Sequence, residues 1–247
     1  MTEAGPAPYL VVLSALGLLS SEEWQAVSLS VIVALAAVAS SLPFGIALGW
    51  LMARRDFMGK SLIETAINLP LVLPPVVTGY LLLVVFGRRG WLGGFLDRWL
   101  DLRIIFTWKA AALASAVMAF PLMVRAIRLA FSAVDTRLEL AARTLGAGPV
   151  DTFFSVSLPL ARHGVLAGAL LAFGRSMGEF GATIMVAGNM PGETQTIPLQ
   201  IYGTLESPGG MERAATMVLM AILISVGALG AGELLERRGR AKLEAKG

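Results

Sequence analysis

The residues that first invite a chemical reading lie at Gly174-Arg-Ser-Met-Gly178, which matches the G-x-S-x-G pattern of serine hydrolases. That pattern works only on a strand–turn–helix elbow with a His and an acid behind the serine. Here it sits inside an apolar run with helical character. The chain's one histidine, His163, precedes Ser176 by 13 residues, roughly 20 Å along a helix at 1.5 Å per residue. A second chemical pattern overlaps the first. Arg175 and Glu179 stand at i and i+4, which places both on one helix face. A charge at mid-bilayer costs about 2.5–3.5 kcal/mol on insertion scales, so such a pair should turn inward and find a partner. Ser176, Thr183 and the glycines at 174, 178 and 181 would let another backbone approach closely. Two readings stand side by side: a polar stripe along a translocation path, or a buried ion pair that fixes helix packing. Cysteine is absent, which removes disulfides, Cys-ligated zinc and thiol nucleophiles. One histidine leaves no multi-His metal site, and no G-x-x-x-x-G-K-[ST] phosphate loop is present.

The elements that must hold these groups follow from composition. Of 247 residues, 56% are hydrophobic and 15% charged, too apolar for a water-filled globule and suited to several bilayer spans. Long apolar runs cover residues 27–52, 63–86, 109–131, 160–187 and 214–235, each near the roughly 20 residues a spanning helix needs. The expected fold is therefore an all-α integral membrane bundle of five helices. Residues 1–26 form an outer N-terminal segment and residues 236–247 a basic cytoplasmic tail. Residues 9–19 are apolar but short, and read as interfacial, with a sixth span as the alternative. Thirteen basic residues cluster at 54–60, 125–162 and 237–246, against six on the other side. The positive-inside rule puts the thirteen in the cytoplasm, the N-terminus outside and the C-terminus inside. The net charge of +3 then reports loop orientation and does not point to nucleic acid.

Two further stretches carry local signals. In the outer loop, Trp91, Leu92, Phe95, Leu96, Trp99 and Leu100 recur at helical spacing, which predicts a short helix lying flat at headgroup depth. It reads as an anchor, with an anion funnel on Arg88 and Arg89 as the alternative. In the second span, Asn68 is followed by Pro70, Pro74, Pro75 and Thr78. Prolines lack an N–H and clash with the preceding turn, so this span should bend and free carbonyls. Lipid cannot satisfy them, so they must face protein or a wet path. Asn68, Pro74, Pro75 and Thr78 thus join Arg175, Ser176, Glu179 and Thr183 as candidate path-lining residues. Residues 188–211, rich in Gly and Pro, predict an outer loop with a re-entrant portion near 196–202.

The most informative stretch is the cytoplasmic segment 132–159. Leu138, Ala141, Ala142 and Leu145 form an i, i+3, i+4, i+7 stripe. Asp135 is a candidate N-cap and Gly146 a candidate C-cap. These predict a short exposed amphipathic helix with a narrow, alanine-rich stripe that another surface can approach. Ala141, Ala142, Gly146, Val156, Leu158 and Pro159 at this spacing resemble the EAA loop of ABC importer permeases. One position departs: the family's glutamate directly precedes the alanines, whereas here Leu140 stands there and the glutamate is Glu139. Residues 69–80, 87–90, 120–128, 141–148, 175–183 and 191–198 are similar to the molybdate permeases within that family.

This resemblance implies a type I importer permease (MetI-like) fold. It implies a membrane subunit that carries molybdate inward and is not itself an enzyme. It also implies a second copy of the chain, two ATPase subunits that use ATP and Mg, and a periplasmic or lipid-anchored oxyanion-binding protein. No cofactor is expected on this chain. The ATPase would dock on Glu139, Leu140, Ala141, Ala142, Arg143, Leu145 and Gly146. The alternatives are a sulfate/thiosulfate or tungstate permease, an intramembrane hydrolase built on Ser176, and a non-transporting assembly or sensor protein.

Overall fold

The computed structural model describes residues 20–244, and in the last helix the side chains through residue 228. The candidate interfacial segment at 9–19 lies outside the described residues. Helix α1 (Ser21–Arg54) opens with a capping box in which Ser20 and Glu23 satisfy each other's backbone donors, the arrangement that stabilises a helix start. It therefore begins six residues earlier than the apolar run at 27. Helices α2 (Lys60–Val72) and α3 (Pro75–Phe86) share the second apolar run. They meet at a bend of 114°, placed where Pro74 and Pro75 withdraw two consecutive N–H groups. The amphipathic α4 (Trp91–Leu100) follows, with Trp91, Phe95 and Trp99 all exposed as the spacing predicts. Helix α5 (Trp108–Ser132) matches the third run almost residue for residue.

Helix α6 spans Thr136–Thr144. Helix α7 spans Pro149–Met177, starting eleven residues before the apolar run at 160. The polar residues at its start hid the helix from a hydropathy reading. A π turn, Phe153–Ser157, lies in it, closed by Leu158 N–H donating to Phe153 O. The ring of Pro159 would crowd the carbonyl four residues back, and the wider turn just before it accommodates that. The fourth run, 160–187, is not one helix. It breaks after Met177 and resumes as α8 (Gly181–Ala187). Helix α9 (Ile197–Leu205) covers the stretch expected to be partly re-entrant, with Ile197 and Leu199 buried. Helix α10 (Gly210–Glu244) continues through most of the basic tail.

Among the described residues four helices are long and apolar enough to cross a membrane, five if the bent α2–α3 pair is one span. Helix α5 is central and packs against α1, α7 and α8. Its inward residues are small, with Ala110, Ala111, Ala114 and Ser115 almost wholly buried. Small residues allow the close helix approach on which membrane packing depends. Two further small-residue pairs sit on its neighbours. Gly45 and Gly49 of α1 lie against Met123 and Ile127, and Gly164 and Gly168 of α7 lie against Ala126, Ile127 and Ala130. A methyl on Gly49 would come within 2.6 Å of Ile127 Cγ2, so α1 meets α5 at backbone range. Ser30 ties α9 to α1: its hydroxyl accepts from Ile197 N–H at 2.8 Å in a buried setting.

Candidate functional site

Two regions gather the residues singled out in the sequence. The first is α6. Its N-terminus is capped by Asp135, whose carboxylate accepts from Arg137 N–H at 2.9 Å. At its other end Gly146 adopts φ +95°, and Ala147 N–H reaches back to Ala142 O at 3.1 Å. That is a glycine-dependent closing turn of the Schellman kind. No residue of α6 is buried. Leu138, Leu140, Ala141, Leu145 and Gly146 are exposed, Leu145 at 89%. An apolar strip with no partner among the described residues thus projects from the bundle, flanked by the exposed Arg137 and Arg143. Glu139 turns the other way. Its Oε1 accepts from Arg54 at 3.0 Å through Nε and 2.9 Å through Nη2, and from Ser157 Oγ at 2.7 Å. Glu139 therefore fastens α6 to the bundle, while the leucines and alanines face outward.

The second region is where the two broken runs meet. Helix α3 packs on α8, and glycines set the separation. A methyl on Gly79 would stand 2.8 Å from Ala182 O, and one on Gly181 would stand 2.8 Å from Pro75 Cβ. The Pro74–Pro75 bend and the Gly178–Phe180 break are thereby brought together. Glu179 is 2% exposed and lies beyond the end of α7. The i, i+4 expectation of one shared helix face is therefore corrected, although the pair itself forms. Arg175 Nη1 reaches Glu179 Oε2 at 2.7 Å, and Glu179 Oε1 accepts from Ala182 N–H at 2.8 Å. The carboxylate caps the start of α8, which is why the chain breaks here without a proline. Thr78, Ser176 and Thr183 are buried near these breaks. The hydroxyls of Thr78 and Ser176 have no hydrogen-bond partner among the described residues.

Asn68 does not join this group. The 114° bend carries it away with α2, where its amide donates to Glu64 O at 2.6 Å and accepts from Arg125 Nε at 2.9 Å. Arg128 meets Glu64 at 2.7 Å beside it. Pro74 and Pro75 are exposed and shape the bend. The hydrolase reading fails on geometry: Ser176 lies in the last turn of a helix, and His163 is on the same helix more than three turns earlier. Among the described residues no group of three His, Asp or Glu side chains is placed to hold a metal ion. The sequence reading missed Arg54, Ser157 and the Glu64–Arg128 pair, whose partners lie far apart in the chain.

Comparison with known proteins gives concordant results. The family described as "Binding-protein-dependent transport system inner membrane component" matches residues 45–241. The molybdenum transport system permease protein ModB of Escherichia coli (strain K12) is 52% identical over 223 residues, covering 90% of this chain and 97% of that protein. ModB of Haemophilus influenzae is also 52% identical, over 221 residues, covering 90% of this chain and 96% of its own. The sulfate transport system permease protein CysW of Synechocystis is 34% identical, covering 86% of this chain and 76% of its own. Among solved structures, a bacterial ABC transporter involved in alginate import matches with a TM-score of 0.72 at 14% identity, covering 96% of this chain and 85% of that one. An amino acid ABC transporter with histidines matches with a TM-score of 0.64 at 18% identity, covering 94% and 99%. At such identities these two speak for the fold alone.

Proposed function

The chain belongs to the family of binding-protein-dependent transport system inner membrane components, and from that premise we propose how it works as the multi-pass permease subunit of an ATP-driven molybdate importer. ATP is hydrolysed by a separate ATPase subunit, and a binding protein delivers the substrate. The single observation that carries the coupling role is α6, an ordered, capped helix that presents an unpartnered Leu/Ala strip. The molybdate assignment draws support from likeness across nearly the full length of the molybdenum permeases, against a shorter and weaker likeness to a sulfate permease.

In this reading two copies of the chain enclose a path, and each copy's α6 seats in a cleft of one ATPase. The N-terminus lies outside and the C-terminus in the cytoplasm, as the basic residues favour. Closure of the ATPases drives the two α6 helices together and alternates access of the path. A tetrahedral dianion cannot cross bare lipid, yet a carrier must release what it binds. The junction of α3 and α8 suits that balance: it holds the Thr78 and Ser176 hydroxyls, and its one cation, Arg175, is already neutralised by Glu179.

The test is oxyanion uptake into vesicles holding this chain, its ATPase and its binding protein, with ATP on the ATPase side. The expected result is ATP-dependent molybdate uptake that tungstate competes with and excess sulfate does not. Sulfate uptake of equal efficiency would overturn the substrate assignment and leave the coupling reading intact.

A further inference from the structure

We infer that Glu139, Arg54 and Ser157 form a positioning clamp that transmits the movement of α6 into α1 and α7. This rests on the coupling role proposed for α6 and adds the route by which its displacement enters the bundle.

The geometry centres on one oxygen. Glu139 Oε1 takes Arg54 Nε at 3.0 Å, Arg54 Nη2 at 2.9 Å and Ser157 Oγ at 2.7 Å. Arg54 is the last residue of α1, Glu139 lies in α6, and Ser157 closes the π turn of α7. Arg54 Nη2 also donates to Val134 O at 2.8 Å, in the link from α5 to α6. Three helices and the α5–α6 link are thus joined through one carboxylate and one guanidinium. The side chains of Arg54 and Glu139 are 10% and 14% exposed, and Ser157 is 1% exposed. Among the described residues, these are the only side-chain hydrogen bonds from α6 to another element.

That exclusivity gives the clamp its meaning. An exposed nine-residue helix pushed by a partner would slide or tilt on its own bundle unless something tied it down. Its leucines and alanines face the wrong way to do so. Charge-assisted hydrogen bonds are short, directional and about twice as strong as neutral ones, so this tie resists shear as well as separation. Arg54 at the C-terminus of α1 is also favoured by the helix dipole.

The far end of the tie is built to receive a displacement. Ser157 is the last residue of the π turn Phe153–Ser157, one loosened turn of α7, a feature that marks functional bending points in helices. An aromatic bracket steadies the same turn. Phe153 meets Trp50 of α1 edge-on at 5.6 Å and Phe131 of α5 at 6.0 Å. The departure from the family spacing, with Leu140 before the alanines and Glu139 one place earlier, now has a physical use. On a helix that step rotates the carboxylate about 100°, here into the bundle.

The test uses the assembled importer in vesicles and reads three quantities: ATPase binding, ATP hydrolysis, and molybdate taken up per ATP hydrolysed. Arg54→Gln should bind ATPase and hydrolyse ATP within about twofold of the parent, while uptake per ATP falls roughly five- to a hundredfold, the usual span of a coupling between sites; Glu139→Ala should show the same fall in uptake per ATP. Glu139→Gln, which keeps an acceptor oxygen, should retain part of the coupling. The exchange of Arg54→Glu with Glu139→Arg should recover part of the loss. Unchanged uptake per ATP in Glu139→Ala would overturn the clamp. So would parallel losses of folding, hydrolysis and uptake in Glu139→Ala and Ser157→Ala alike, which would mark a purely structural tie. Ala141→Arg separates this from the reading beneath it: if that variant still binds the ATPase, α6 is not the docking element and both inferences fall.

Discussion

Adding one methyl group at Gly79 tests whether the two broken runs are pressed together as described. In Gly79→Ala the new Cβ would lie 2.8 Å from Ala182 O, 2.8 Å from Met185 Cβ and 3.0 Å from Ala182 Cα. Two of these three neighbours are backbone atoms, which no rotamer change can move. Restoring ordinary contact requires α3 and α8 to separate by about 0.6 Å. Helix α3 is held at both ends. Pro75 abuts Gly181 at one, and at the other Gly90 and Gly93 press against the carbonyls of Val85 and Phe86. The shift must therefore be met by strain, and overpacking of this kind costs about 1–3 kcal/mol.

Gly174→Ala, in the last turns of α7 just before the break at Gly178, supplies the control. Nothing lies within 4 Å of a Cβ there, and the residue sits inside α7. Alanine is favoured over glycine in a helix interior by about 1 kcal/mol, so this variant should be neutral or slightly stabilised. The two substitutions add the same atom and should move stability in opposite directions. The assay is retention of monodisperse protein after a heating series in detergent, with uptake measured on the same preparations. Gly79→Ala should lose several degrees and part of its uptake. If Gly79→Ala proved as stable as Gly174→Ala, α3 and α8 would not be in backbone contact, and the junction would have to be redrawn.

Two further expectations concern the other parts of the site. Ala141→Arg and Leu145→Asp should insert normally and weaken ATPase binding by at least roughly tenfold, an interface loss of about 1.4 kcal/mol or more; pull-down from membranes checks this. Gly146→Ala is a poorer probe, because its φ of +95° means an alanine would disturb the closing turn at a cost of about 1–2 kcal/mol without touching a partner. Glu179→Gln should destabilise the protein more than Arg128→Gln does in the same heating series. Glu179 is 1% exposed at its side chain, whereas Arg128 and Glu64 are 42% and 34% exposed, and exposed pairs contribute only about 0–1 kcal/mol.

The parts of the fold that the sequence disclosed are those written in local spacing. Asp135 and Gly146 bracket α6 because cap chemistry acts over three or four residues. Trp91, Phe95 and Trp99 marked α4 for the same reason. The break inside 160–187 stayed hidden because its cause is a side chain. Gly178, Phe180 and Gly181 do not interrupt an apolar run, and only the turn of Glu179 back onto Ala182 N–H reveals it. Asn68 was grouped with Thr78 in a span expected to bend at its prolines, and the size of that bend, 114°, which parts the two residues, is not written in the local sequence. The glycine pairs 45/49 and 164/168 carry a spacing that a search for small-residue motifs would have caught. Arg54 and Glu139 are 85 residues apart, and nothing local to either announces the other.

Thr78 and Ser176, two of the four buried hydroxyls without a partner among the described residues (the others are Ser115 and Thr196), bear on why the junction is polar. A buried polar group without a partner costs about 1–3 kcal/mol, and alanine or valine at 78 and 176 would remove that cost with little change of shape. A bundle shaped only by stability would favour the apolar choice. A carrier for a dianion faces the opposite requirement, since a path must offer donors that are not already engaged and must not offer a free cation that would trap the ion. The junction meets both conditions. Thr78 and Ser176 have unspent hydroxyls, and Arg175 is held 2.7 Å from Glu179. If the junction is the path proposed above, the unpaired hydroxyls and the paired arginine serve one demand, weak and reversible passage of an oxyanion.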